Sequence, residues 1–414
     1  MSAPPARPER GAIAMLTPAE ARARMLAAVR GPVEAESIAI TEGAGRVLAE
    51  DLAALLTQPP CAVSAMDGYA VRCEDMGTGR PLAVIGEAAA GRPFAGRLQP
   101  GTAIRIFTGA EVPQGADTIL IQENAEASQA GLVQPRQEEA RGRFVRPAGL
   151  DFKTGDVLLH AGMGLDPRRL GLAASMGHGK LPVRRRPRMA ILSTGDELVA
   201  PGQAPGPGQI ISSNALALSA LAQANGAVPL DHGIVPDRED ETRAAIIRAA
   251  AESDLVITCG GASVGDHDHV RAALTGAGFS IDFWRVAVRP GKPLMLGVRG
   301  PTLCIGLPGN PVSSMVCALL FVRPVLRALL GQPQEPHDGR EPAVIGAALP
   351  ANDGREDYMR ASLHRDASGG LVAIALSPQD SSMQHVLARA DALLIRPPHA
   401  PAAVAGEACE IMRL

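Results

Sequence analysis

Only three of the 40 basic side chains in this 414-residue chain are lysines, Lys153, Lys180 and Lys292. Lys292 stands in the string Arg289-Pro290-Gly291-Lys292-Pro293, where two prolines and a glycine stiffen the chain around it. A compact ammonium on a rigid loop suits a single oxyanion, whereas an arginine fork is larger and planar. The other reading is a surface lysine with no ligand. Three further strings suit a site for a phosphorylated ligand, two of them by binding an anion and one through carboxylates. In Cys259-Gly260-Gly261-Ala262-Ser263-Val264-Gly265 the glycines Gly260, Gly261 and Gly265 let backbone amides converge on an anion, with the hydroxyl of Ser263 among them. In Gly306-Leu307-Pro308-Gly309-Asn310-Pro311-Val312-Ser313, Asn310 is expected to cap a helix that Pro311 starts, and a helix start preceded by glycine offers unpaired amides. Thr194-Gly195-Asp196-Glu197 puts a hydroxyl and two carboxylates in a tight turn. Such carboxylates position Mg²⁺ on a phosphate or orient a nucleophile, or else the string is only a turn and helix cap.

The continuation of the Cys259 string and two further strings invite a more guarded reading. Asp266-His267-Asp268-His269 contains zinc-ligand types, but alternate residues point apart and no third cluster is apparent, so Asp268 reads as a helix cap or Mg²⁺ ligand instead. Ser64-Ala65-Met66-Asp67-Gly68-Tyr69-Ala70 and Thr108-Gly109-Ala110 place an acid and a hydroxyl in glycine turns, which by themselves are ordinary turn chemistry.

These strings acquire a common purpose from the elements around them. From Met189 to Leu330, continuous apolar strands alternate with amphipathic helices, the pattern of a mostly parallel sheet covered on both faces. In such a sheet the ligand lies at the carboxyl ends of the strands. The loops at Thr194, Cys259, Arg289 and Gly306 all fall at strand ends, so four such loops at one edge point to a phosphorylated ligand. The fold expected is multidomain α/β plus β. Residues 188–331 form the central α/β domain, 1–58 and 150–187 a discontinuous N-terminal domain, 59–149 a β insert and 332–414 a small C-terminal β domain. In the discontinuous N-terminal domain, Thr17 to Val29 reads as a helix with Thr17 as cap, Pro18 first and Glu20 reaching back, and Ala44 to Leu56 shows a second helical pattern. The insert is expected to carry strands near 82–85, 102–107, 118–122, 132–134 and 142–145.

Composition narrows the class further. Hydrophobic residues are 46% and charged residues 20%, which excludes a disordered chain. A formal net charge of -3 and 2% aromatics give no electrostatic or stacking reason to bind nucleic acid. No apolar run approaches the ~20 residues of a membrane helix. Met1 to Arg10, rich in Pro and Arg, reads as a flexible tail rather than a signal peptide. Six scattered cysteines without CxxC spacing read as reduced thiols of a cytoplasmic protein.

Taken in order, the six strings resemble those of the molybdopterin molybdotransferases, a family that includes the E domain of gephyrin. The likeness runs from about Thr17 to the C-terminus, and Ser64 to Ala70, Thr194 to Leu198 and Gly306 to Ser313 are its most specific parts. The resemblance implies an enzyme that takes adenylylated molybdopterin and molybdate and uses Mg²⁺. It releases AMP and leaves molybdenum cofactor. It implies a homodimer whose clefts lie between the α/β domain, here a molybdopterin-binding domain, of one chain and the β insert of the other. By motif match, Asp67, Thr108, Glu197, Asp237 and Asp268 are catalytic, with Asp237 and Asp268 also the Mg²⁺ ligands. Ser64, Thr194, Gly195, Asp196, Gly260, Gly261, Ser263, Gly265, Pro290, Gly291, Pro308, Gly309, Asn310 and Ser313 bind substrate. Lys292, Pro293, Arg360, Ser381 and Ser382 form the molybdate pocket. Three departures stand out: Leu150 where the family commonly has an acid, and Arg285 and Arg289 where lysine is common. Nothing resembles a fused adenylylation domain, so a separate molybdopterin adenylyltransferase and downstream cofactor-handling proteins are the partners expected. The competing readings are a scaffold that binds molybdopterin without turnover and an adenylyltransferase acting on molybdopterin.

Overall fold

The computed structural model describes residues 15–128, 130–260 and 269–414. The chain divides into two compact units, one made of residues up to Glu36, Gly45–Ala49 and Val183–Leu414, the other of Ser37–Ala44 and Glu50–Pro182.

The larger unit opens with the helix Pro18–Ala28. Thr17 and Glu20 form a reciprocal capping box at its start, and Ala21 and Met25 are its buried face. The centre of the unit is a six-stranded sheet built from β1 (Arg188–Thr194), β2 (Val228–Val235), β3 (Leu255–Cys259), β4 (Ser280–Arg285), β5 (Pro293–Arg299) and β6 (Thr302–Leu307), in the order β2-β1-β3-β6-β5-β4. The first four in that order are parallel, and β5 runs antiparallel to both its neighbours. Connecting helices α1 (Asn214–Ala224), α2 (Glu239–Glu252), α3 (His269–Gly276) and α4 (Pro311–Leu329) cover it.

Burial on both faces follows the two-residue period of a strand. Met189, Ile191, Leu255, Ile257, Leu303 and Ile305 face one way, into a core with Val316, Phe321 and Leu326 of α4. Their neighbours Ala190, Leu192, Val256 and Cys304 face the other way, against Ala245 and Ile246 of α2 and Val270 and Leu274 of α3. α4 is apolar and long enough to cross a membrane, at a mean hydropathy of 1.7, but 67% of that stretch is buried inside the fold. It widens into a π turn at Ala318–Val322.

The last 75 residues close a small barrel. Strands Glu356–Arg365, Leu371–Ala375, Arg340–Ile345, Ala408–Arg413 and Ala392–Arg396 pair in that order, and the last returns to the first. Closure leaves no open edge, and the interior holds Ile345, Ala361, Ala373, Leu394 and Ile411.

In the smaller unit a second six-stranded sheet orders Thr118–Ile121, Gly68–Val71, Thr102–Ile106, Leu82–Ala88, Leu132–Pro135 and Ala125–Ala127. Gly68–Val71, read from sequence as a turn, is a wholly buried strand between two partners. The helical pattern at Ala44 to Leu56 also folds differently. Leu48 bridges to Val183, Leu52 pairs with Leu159 and Ala53 with Val157, so the stretch is extended. Its spacing of Val47, Leu48 and Leu52 mimicked a helix face, but these side chains are buried by strand partners far along the chain, and such contacts override local propensity.

Ile257, at the middle of β3, is fully buried. Ile257→Ala is expected to lower stability by about 2–5 kcal/mol, seen as an earlier midpoint in urea. A loss below about 1 kcal/mol would contradict close packing on that face.

Candidate functional site

Parallel pairing of β2, β1, β3 and β6 brings their carboxyl ends to one edge, and the β4–β5 turn comes to the same edge because β5 runs backwards. A cleft of about 680 Å³ lies along it. Of the residues singled out from sequence, Thr194, Glu197, Asp237, Gly260, Pro293, Pro308, Gly309, Asn310, Ser313 and Ser382 line this cleft. Gly261, Ser263, Gly265 and Asp268 lie outside the described residues.

The acidic wall comes from the ends of β1 and β2. Asp237 donates its amide to Oδ1 of Asp196 at 3.3 Å. Burial, then the charges of Glu197 and Asp196, hold the Asp237 carboxyl above the ordinary aspartate range, with His269 pulling it back. Three carboxylates gathered this way repel one another until a cation or a proton arrives. Among the described residues no trio of His, Cys, Asp and Glu could hold a metal by itself. Mg²⁺ is commonly held by one or two carboxylates together with substrate phosphates, and the unbalanced charge here fits that donor set.

Gly260 and Gly309 line the same cleft. Gly260 has φ +98°, and a Cβ there would lie 2.5 Å from the Thr194 carbonyl oxygen, so only glycine lets the ends of β3 and β1 approach so closely. Cys259 lines the same wall, but burial pushes its thiol up to about 12, so it is no nucleophile at neutral pH.

The start of α4 is arranged differently from expectation. Asn310 makes no side-chain cap; its Nδ2 donates instead to Oγ of Ser381 at 2.8 Å. The Val312 amide donates to the Ser381 carbonyl at 3.1 Å. The C-terminal barrel thus satisfies part of this helix start. Arg360 is only 1% exposed, with Nη2 donating to the Asp380 carbonyl at 2.9 Å and Nε buried without a partner. Burial lowers its pKa, opposed by Asp357 and Asp380. Asp380 accepts from the Ser382 amide and hydroxyl. Arg360, Ser381 and Ser382 therefore belong to one bonded segment. Lys292 is exposed, with no side-chain partner among the described residues, and its neighbour Pro293 lines the cleft. Arg289 is engaged by Asp353, Asn352 and Asp357, while Arg285 lies 5.2 Å from the ring centroid of Trp284. Gly195, Asp196, Pro290 and Gly291 flank the cleft in sequence without lining it.

In the smaller unit, Oδ1 of Asp67 accepts from the Thr108 amide at 2.7 Å and hydroxyl at 2.8 Å, and these bonds hold its carboxyl below the usual range. Gly68, next in the chain, lets its strand lie close to Thr118–Ile121: a Cβ there would come within 2.1 Å of the Leu120 carbonyl oxygen. Ser64 is fully buried, its hydroxyl donated to the Met66 carbonyl. A cavity of about 760 Å³ beside this turn is lined by Gly109, Glu111, Arg146, Asp151 and the exposed Leu150.

Comparison with known proteins covers the whole architecture. Residues 16–177 match the MoeA N-terminal region (domain I and II), 190–328 the probable molybdopterin binding domain, and 342–414 the MoeA C-terminal region (domain IV). The molybdopterin molybdenumtransferase of Haemophilus influenzae is 34% identical over 381 residues, 92% of this chain and 94% of that protein. The chain belongs to the molybdopterin molybdenumtransferase family. Molybdopterin molybdenumtransferase 2 of Mycobacterium tuberculosis is 37% identical over 390 residues, covering 91% and 95% of the two chains. The crystal structure of the molybdopterin biosynthesis MoeA protein from Pyrococcus horikoshii superposes with a TM-score of 0.83 at 28% identity, over 97% of this chain and 99% of that one.

For this member of the molybdopterin molybdenumtransferase family, sequence reasoning missed part of the cleft. Ser212, Ser213 and Asn214 before and at the start of α1, and Gln384 after the barrel's Ser381–Ser382 segment, all line it. A polar Ser-Ser-Asn run ahead of an apolar helix reads as a cap, and nothing in its spacing distinguishes a cap from a cleft wall.

Because the Asp237 carboxyl is raised in the folded chain, its charge destabilises the fold above its folded pKa, and that effect fades as pH falls to its unfolded value. Asp237→Asn is therefore expected to raise the melting temperature at pH 7 and to lose this advantage near pH 3.5. An equal or lower melting temperature at pH 7 would contradict the crowded carboxylates.

Proposed function

We propose that this chain inserts molybdate into adenylylated molybdopterin, with hydrolysis of the phosphoanhydride and release of AMP. Molybdenum insertion within molybdenum cofactor biosynthesis is the activity of the family. The adenylylated form of the substrate is the finer reading. The observation that carries it is one cleft lined by glycines at Gly260 and Gly309 and by carboxylates at Glu197 and Asp237. Backbone amides and a helix start suit phosphate oxygens, and carboxylates suit the cation and the water that phosphoanhydride cleavage requires.

In this reading Asp237 and Asp268 would hold Mg²⁺. The bound ion would offset phosphate charge. Glu197 orients the attacking water and accepts its proton. The Gly309–Asn310 segment holds the phosphates in place. Lys292 and the Arg360–Ser382 segment take the molybdate, and their positive charge and hydroxyls offset the repulsion between two anions brought together. Asp67 and Thr108 act from the β insert of a second chain in a cytoplasmic homodimer. The exposed, bond-fixed Asp67 carboxylate and the 760 Å³ cavity beside it support a role for that face.

Purified chain given adenylylated molybdopterin, Mg²⁺ and molybdate is expected to release AMP in a molybdate-dependent manner. Ligand binding without release would instead favour a scaffold. Lys292→Ala is expected to raise the molybdate KM about tenfold or more, in line with losing a charged contact, while AMP affinity changes little. Equal losses in both would remove that role for Lys292. Mixing inactive Asp67→Asn and Glu197→Gln chains should restore roughly a quarter of wild-type turnover, as random pairing of a shared-site dimer requires. No recovery would refute the shared site.

A further inference from the structure

Helix α1 begins with two of the residue types that most often cap helices, and neither caps it. Ser213 makes no side-chain bond to the amides of the helix, although serine at this place ordinarily accepts from the second or third of them. Its Oγ instead accepts from Nε2 of Gln384 at 2.6 Å. Asn214 donates Nδ2 to the carbonyl of Gly309 at 2.7 Å. The side chain at the cap position and that of the first helical residue are both turned to distant segments, and a cap left unmade is a local exception of the kind that gathers where function demands it.

The segments they reach form the two halves of the cleft. A trans peptide fixes its C=O and N–H in opposite directions, so the bond from Asn214 sets the plane of the Gly309–Asn310 peptide and the direction of the Asn310 amide. Gln384 lies just beyond Ser381 and Ser382, and Ser381 is itself bonded to Asn310 and Val312. Ser213, Asn214, Gly309, Ser382 and Gln384 all line the cleft.

We propose that Asn214 is a positioning residue for the phosphate-holding loop and that the Ser213–Gln384 bond positions the Ser381–Ser382 segment. Together they set the spacing between the two anions of the reaction. This rests on the function proposed above.

Asn214→Ser, neutral and too short to reach Gly309, removes the donor without adding a charge beside the phosphate. In the full chain it is expected to weaken AMP affinity, measured by calorimetry, and to raise the KM for adenylylated molybdopterin, each about tenfold as for a lost hydrogen bond at a ligand-bearing loop. The molybdate KM should change by less than about twofold. Ser213→Ala should show the reverse split. Should Asn214→Ser fail to fold, Asn214→Ala, also neutral and without the donor, carries the same comparison. Equal shifts in both KM values, or an AMP affinity unchanged from wild type, overturn the proposal. If wild type releases no AMP in turnover, the proposed function fails. The AMP affinities of wild type and variant then still decide the positioning claim, and a wild type that does not bind AMP overturns it as well.

Discussion

Everything at this site depends on parallel pairing. When β2, β1, β3 and β6 run the same way, their carboxyl ends meet at one edge, and residues separated by more than a hundred positions share a wall. The direction is enforced by burial: β1, β3 and β6 are covered on both faces, so each needs a helical crossover to return the chain to the starting side. The hydrophobic core and the chemistry at the edge are two consequences of one topology.

Gathering charge at that edge has a cost, visible in two groups. Asp237 is raised by its acidic neighbours, and Arg360 is lowered by burial with Nε left without a partner. Each is poorly balanced by the protein alone, and each is of the sign that the proposed substrates and their cation would balance. Such strain at a site is set against stability elsewhere, here in the apolar faces of the sheet. The barrel contributes more than closure. Through Arg360, Asp380 and Ser381 it brings a segment to the start of α4, which makes the C-terminal region part of the cleft.

How much of this was legible in the sequence varied with the range of the interaction. Loop chemistry was legible because it is local: glycine at positions such as 260 has a backbone reason, and alternating strands and helices announce a parallel sheet. The capping box at Thr17 and Glu20 is likewise a four-residue signal. Misreadings came where distant partners decide. Residues 44–56 are extended because Leu52 meets Leu159, and Gly68–Val71 is a strand because Thr118–Ile121 and Thr102–Ile106 flank it. Asn310 looks like a cap, yet Ser381, 71 positions away, takes its amide. The arginine habit of the chain concealed a difference as well: Arg289 is tied to three acidic or amide groups of the C-terminal region, while the lysine three residues on has none among the described residues.

The most direct measurement is a crystal structure of the chain grown with AMP and tungstate, a heavy congener of molybdate located by its anomalous signal. The AMP phosphate is expected at the Gly309–Asn310 segment and tungsten beside Lys292 and Ser382, in the same cleft. An AMP phosphate bound away from the strand-end edge, or tungstate at a separate surface, would contradict it.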